Sequence, residues 1–118
     1  MIIDTALRER EARGHPIRVG VVGAGASARA IALQLGTPVS GIRLVAIANR
    51  TLKRGERAFQ EAAITEWAQV VTAREAEAVI VRGLPVLTDD PSVLTHCDAI
   101  DVLVEATGTI EEATRVVI

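Results

Sequence analysis

Cys97 is the single cysteine among 118 residues, so no internal disulfide can form. That usage fits a reducing compartment, and since no His or Asn context supports activation, Cys97 reads as a small buried hydrophobe beside a strand rather than a catalytic thiol. Tyrosine is absent, and Phe59 and Trp67 stand alone among Phe, Tyr and Trp. A chain so poor in aromatic side chains lacks the stacking platforms that single-stranded nucleic acid requires. The net charge of −2 provides no general polyanion surface, and nucleic acid is therefore not an expected partner. The two histidines, His15 and His96, have no second ligand at helical or loop spacing, so no metal site is expected. No apolar run reaches membrane-spanning length, and no membrane partner is expected. Asp4, Arg8, Glu9, Arg10 and Glu11 crowd the first residues and leave no signal-peptide pattern. A cytoplasmic location is the expectation.

Apolar residues, by contrast, make up 49% of the chain, and they are concentrated in short runs bounded by turn residues. Residues 17–22 form one such run, broken by Gly23-Ala24-Gly25-Ala26-Ser27-Ala28 and followed by an apolar-periodic segment over 28–35. Strand, glycine turn and helix in that order constitute the G-x-G-x-x-G/A fingerprint of a dinucleotide site. Gly23 permits the tight turn, Gly25 removes the Cβ that would hold the backbone away from a pyrophosphate, and Ala28 lets the helix pack closely on the strand. An ordinary strand-to-helix turn is the plainer alternative.

A second apolar run, 41–48, reads as a buried parallel strand ending at Asn49-Arg50-Thr51. An NAD-preferring site places Asp or Glu near this position to hold the ribose 2′-hydroxyl. An acid would repel a 2′-phosphate, whereas Asn49 can donate to it and Arg50 can pair with it. Arg50, Lys53, Arg54 and Arg57 recur at helical spacing, which puts positive charge where the helix dipole disfavours it and favours an anion among them. The cofactor expected is NADP, with NAD the lesser alternative, and a merely solvated charged face is the bland reading. A flavin or S-adenosylmethionine site fits less well, since both normally want an acid where Asn49 stands.

The remaining pattern predicts a leading helix over 1–14 with Asp4 as N-cap, an extended entry at His15-Pro16, and a helix capped by Thr51 and running to about Ala62. Beyond it come a short apolar run of ambiguous type at 67–71, a helix over 73–81, a third strand over 83–88 and a short helix opened by Asp90-Pro91. A strand over 99–105, a turn at 106–109 and a last helix over 110–118 complete the chain. This is an α/β domain, a Rossmann-type parallel sheet of order 3-2-1-4 with helices on both faces, lacking the fifth and sixth strands of the full fold. The ligand belongs at the carboxyl ends of strands one and four. An unpaired outer edge on strand four predicts self-association or a partner chain there.

Taken together, the opening at 2–7, the glycine motif at 17–25, Val45 to Thr51, Leu87 to Pro91 and Asp101 to Gly108 resemble the NAD(P)-binding domain of homoserine-dehydrogenase-like oxidoreductases. The similarity is to the deoxyxylulose-phosphate-reductoisomerase-like branch, whose members carry a SAF-type domain near the C-terminus. The resemblance implies NADPH-linked reduction, or isomerisation with reduction, of a small phosphorylated or hydroxylated carbonyl substrate, and it places Ala106, Thr107 and Gly108 near the nicotinamide side of the cofactor. This chain departs from the family at Ala26, Ser27 and Ala28, where bulkier residues and a third glycine are common; Ser27 adds a donor. The family's substrate-binding and catalytic part follows this domain, so residues 1–118 are expected to bind cofactor without being catalytically complete. Asp89, Asp90, Glu105, Glu111 and Glu112 are all accounted for as caps, strand ends or first-turn charges, and no catalytic residue is assigned. A non-catalytic dinucleotide-binding or interaction module is the alternative function.

Overall fold

The computed structural model describes residues 8, 9, 12–36, 41–106 and 115–117. Strand β1 (Ile17–Val22) leads into helix α1 (Ala26–Gly36), then β2 (Ile42–Ala48), α2 (Leu52–Glu61), β3 (Ala68–Gln69), α3 (Ala73–Val81), β4 (Val86–Thr88), α4 (Pro91–Thr95), β5 (Val102–Glu105) and β6 (Arg115–Val117). The sheet order is β3-β4-β2-β1-β5-β6. Five strands run parallel, and β6 closes one side antiparallel to β5.

Handedness decides where the helices go. From β1 the chain steps to β2 and on to β3 in one direction, then turns back to β4 and crosses to β5. Right-handed crossovers therefore put α1 and α2 on one face and α3 and α4 on the other. Successive strand residues feed the two layers in alternation. Val21, Ile47 and Leu87 pack with Ala28, Ala32, Ala58 and Phe59, while Val22, Ala46 and Val86 pack with Ala76, Ile80, Val93 and Leu94. Both sheet faces are thus buried, which is why the strands read as near-continuous apolar runs, broken only at Arg18 and Arg43 near the amino-terminal ends of β1 and β2. Phe59 is fully buried and stacks on Trp67, with ring centroids 5.4 Å apart.

The expected order 3-2-1-4 is present as β4-β2-β1-β5, and the ambiguous run at 67–71 supplies the two-residue strand β3 outside it. Several expectations are corrected. The third and fourth strands are shorter than the apolar runs, because Gly83, at φ +94°, closes α3 by donating to Ile80 O, and the Ile100 N–H donates to Cys97 O. Helix α1 begins at Ala26, so Ala26, Ser27 and Ala28 all lie in its first turn. The helix expected over 110–118 is contradicted at 115–117, which pair as strand β6: Val116 and Val117 are β-branched, and β5 offers them an open row of hydrogen-bonding groups. For the same reason the outer edge of the fourth strand is not unpaired, since Leu103, Val104 and Glu105 face Val117, Val116 and Arg115. Of the leading helix, Arg8, Glu9 and Ala12 are helical, the Arg13 N–H donates to Glu9 O, and Gly14 follows at φ +73°; the Asp4 cap lies outside the described residues.

Candidate functional site

The carboxyl ends of β1, β2, β4 and β5 form one continuous edge because backbone hydrogen bonds carry the register one residue past each strand. The Gly23 N–H donates to Ala48 O at 2.7 Å, Asn49 N–H to Thr88 O at 3.0 Å, and Ala106 N–H to Val22 O at 2.9 Å. The expected cofactor residues Gly23, Gly25, Ala26, Ser27, Ala28, Asn49, Arg50, Thr51, Arg54 and Ala106 are therefore grouped along this edge. Thr107 and Gly108 lie outside the described residues.

Gly23 sits at φ +114°, a conformation that disfavours any side chain, and it turns the chain from β1 into α1. Gly25 is exposed, and a Cβ built there meets nothing within 4 Å. The space in front of it is open to a ligand. Its carbonyl accepts the first helical bond, from the Arg29 N–H at 2.9 Å, so the amides of the first turn have no partner within the helix. Ala28 is 1% exposed and lets α1 sit close on the sheet, the role expected of the third small residue. No acidic side chain occupies the first turn of α1 or of α2, which leaves the positive dipole ends of both helices facing this edge.

Beside the glycine turn, Asn49 donates from Nδ2 to Thr51 O at 2.9 Å. This bond pins the turn between β2 and α2. That bond uses one of the two Nδ2 hydrogens, and the second remains for the phosphate contact expected of Asn49. Thr51 occupies the N-cap position of α2, but its side chain makes no capping hydrogen bond; its carbonyl instead accepts from the Arg54 N–H at 3.1 Å. Arg50 and Arg54 are both exposed at this end. Arg57, expected on the same basic face, leans the other way and pairs with Glu61 at 3.7 Å, while Glu61 also ties α2 to Arg29 of α1 at 3.2 Å.

Asp89, accounted for from sequence as a cap, strand-end or first-turn charge, gains a neighbour through the sheet. Ala48 pairs with Thr88, so Asp89 stands one residue beyond on the strand adjacent to Asn49. The next acid, Asp90, caps α4 by accepting from the Ser92 N–H at 2.9 Å and the Ser92 hydroxyl at 2.8 Å, and these bonds hold its carboxyl below the usual range. Cys97 is buried, and burial pushes its thiol pKa up, away from the thiolate. Among the described residues no cluster of three or more His, Cys, Asp or Glu is placed to hold a metal, and no helix is long and apolar enough to cross a membrane.

No family model and no curated protein matches this sequence. Among solved structures the fold is similar to that of scyllo-inositol dehydrogenase from Lactobacillus casei, determined with bound NAD(H) and scyllo-inositol, at a TM-score of 0.53 and 18% identity. The alignment covers 80% of this chain and 22% of the dehydrogenase chain, so this chain spans well under half the length of that enzyme. The likeness places the chain in the Rossmann-type α/β fold.

Proposed function

We propose that this chain is the dinucleotide-binding unit of an NADP-linked oxidoreductase. The observation that carries the reading is the open space in front of Gly25 at the N-terminus of α1, flanked by the exposed Arg50 and Arg54 with no acid at the end of β2. Gly25 and the first-turn amides of Ala26 to Ala28, with the Ser27 hydroxyl, hold the pyrophosphate. Arg50 and Arg54 take the 2′-phosphate, and the Asn49 amide oxygen accepts from the remaining ribose hydroxyl. Ala106, with Thr107 and Gly108, faces the nicotinamide. The bound cofactor supplies hydride exchange with a carbonyl or alcohol carbon.

The fold of a dehydrogenase crystallised with scyllo-inositol supports a hydroxylated substrate for the whole enzyme, and the resemblance of Asn49-Arg50-Thr51 and Glu105-Ala106-Thr107-Gly108 to homoserine-dehydrogenase-like enzymes supports the same class. Substrate contacts and the proton donor belong to a part of the enzyme beyond these residues. Association with a second copy or another chain uses the sheet edge on the β6 side, because among the described residues β6 is the outermost strand, in the place β5 was expected to hold. Calorimetric titration with NADPH and NADH tests the cofactor assignment, and tighter binding of NADPH is expected. Equal affinities would remove the NADP preference, and binding of neither would remove the dinucleotide reading. Sedimentation over a range of concentrations, with an NADPH oxidation assay on hydroxylated carbonyl compounds, tests the rest; self-association without turnover is expected.

A further inference from the structure

The opposite edge of the sheet carries a feature that cofactor binding does not use. A cavity of about 960 Å³ opens at the amino-terminal ends of β1, β2 and β4, within the size range of small-molecule pockets. Its floor is apolar, with Ile80 buried and Leu84 and Pro85 half-buried, and its rim carries Arg13, Arg18 and Arg43 against one acid, Asp101. The asymmetry is informative because the chain as a whole has 13 Lys and Arg against 15 Asp and Glu.

Asp101 pairs loosely with Arg18 and offsets one of the three rim charges, leaving the rim net positive. Its Oδ2 accepts from the backbone N–H of Arg18 at 2.8 Å, whereas the Arg18 Nε stays 3.9 Å away, beyond hydrogen-bond range. The carboxylate therefore leaves the guanidinium's donors unoccupied. The Arg13 side chain makes no hydrogen bond or ion pair among the described residues; its backbone N–H goes to Glu9 O. Two planar donor forks thus stand over an apolar floor, which is the arrangement that holds a carboxylate head and an aliphatic body.

We propose that this cavity is a second ligand site, for a small organic carboxylate with an apolar chain, separate from the dinucleotide edge. The separation follows from β1, whose six residues set Arg18 and the glycine turn at opposite ends of the strand, about 15–20 Å apart. No ligand of this size touches both. The inference is independent of the cofactor assignment.

The test uses the purified protein with anilinonaphthalene sulfonate, an apolar anion, as the fluorescent probe, competed by octanoate or by octylamine, which matches its chain length and opposes its charge. Octanoate is expected to displace the probe about tenfold more effectively than octylamine, and Arg13→Glu, at an exposed turn position, is expected to weaken octanoate by about tenfold. Leu84→Asp provides a second variant acting on the apolar floor, with the same direction expected. Saturating NADPH leaves octanoate binding in place. Equal competition by the two amphiphiles, unchanged affinity in both variants, or displacement of octanoate by NADPH would overturn the proposal. An acidic peptide that displaces octanoate at lower concentration than octanoate itself would overturn it in favour of a protein-docking surface.

Discussion

Gly25→Val separates binding from folding. A Cβ at Gly25 meets nothing within 4 Å, and the residue is not among the glycines of positive φ, so the protein itself does not resist a side chain there. The folding cost is that of a β-branched residue at the N-cap position, about 1 kcal/mol. For a chain of this size that lowers Tm by about 4 °C. The ligand side is different, because the valine methyls occupy the space in which the pyrophosphate meets the first-turn amides. Losing two charge-assisted hydrogen bonds of about 1.5–3 kcal/mol each weakens NADPH by roughly two to four orders of magnitude. Far-UV circular dichroism melts and calorimetric titration on the same preparation measure both effects. A variant that melts within a few degrees of the parent and binds NADPH with unchanged affinity would refute the glycine-turn site.

Arg50→Ala should weaken NADPH by about 1.5–3 kcal/mol while leaving NADH nearly unchanged, read by titration; an equal loss for both cofactors would assign Arg50 to the shared pyrophosphate. Asp89→Asn should strengthen NADPH by a few-fold at low ionic strength and not in high salt, since Asp89 stands beside Asn49 across the β2–β4 pair and an exposed charge about 7 Å away contributes roughly 0.5–1 kcal/mol. Gly55→Ala should lower Tm despite the usual gain of about 1 kcal/mol for Ala in a helix, because overpacking costs about 1–3 kcal/mol and the new Cβ runs into Cδ1 of the fully buried Leu87; a raised Tm would refute the close packing of α2 on β4. Burial raises the Cys97 thiol pKa above its ordinary value of 9.0, so its contribution to stability is fully present below the unfolded pKa and is lost as pH rises from there through the folded value; Cys97→Ala should flatten the alkaline limb of a stability profile as the pH rises past 9.0.

The sheet's parallel core was legible because its chemistry is local. Residues 19–22 and 44–48 are free of charged and polar side chains, glycines or Asn end them, and right-handed crossovers then leave few arrangements. The site residues on the first two turns were legible for the same reason, since a helix N-terminus directly after a strand fixes their placement. What sequence did not supply depends on pairing across the chain. Glu111 and Glu112 suit a helix start, but Val116 and Val117 answer to the open edge of β5, and a three-residue strand has no periodicity of its own to announce it. Asp89 was named from sequence as an acid near the site, but its place beside Asn49 came only through the register that sets Thr88 opposite Ala48. Thr51 suited a cap by residue type, yet the Asn49 side chain claimed the Thr51 carbonyl and the hydroxyl was left out of the helix start.

The same register bonds determine how the binding measurements translate into contacts. Gly23, Asn49 and Ala106 each donate a backbone N–H to the neighbouring strand, so the chain leaves the sheet at three fixed points on one edge. The turn after β2 is held again by Asn49 Nδ2 on Thr51 O, close to where Arg50 and Arg54 project. Backbone at these three points is therefore held by the sheet, and a dinucleotide bound as proposed would bear little of the ordering cost that weakens flexible sites. Arginine side chains still lose rotamer freedom, about 0.5–1.5 kcal/mol each, which is smaller than the charge-assisted contact each one makes. A preformed edge of this kind makes affinity losses on truncating Arg50 or filling Gly25 report the contacts themselves. Asn49→Ala then has a distinct signature, because it frees the turn as well as removing the amide oxygen, and both NADPH and NADH weaken together.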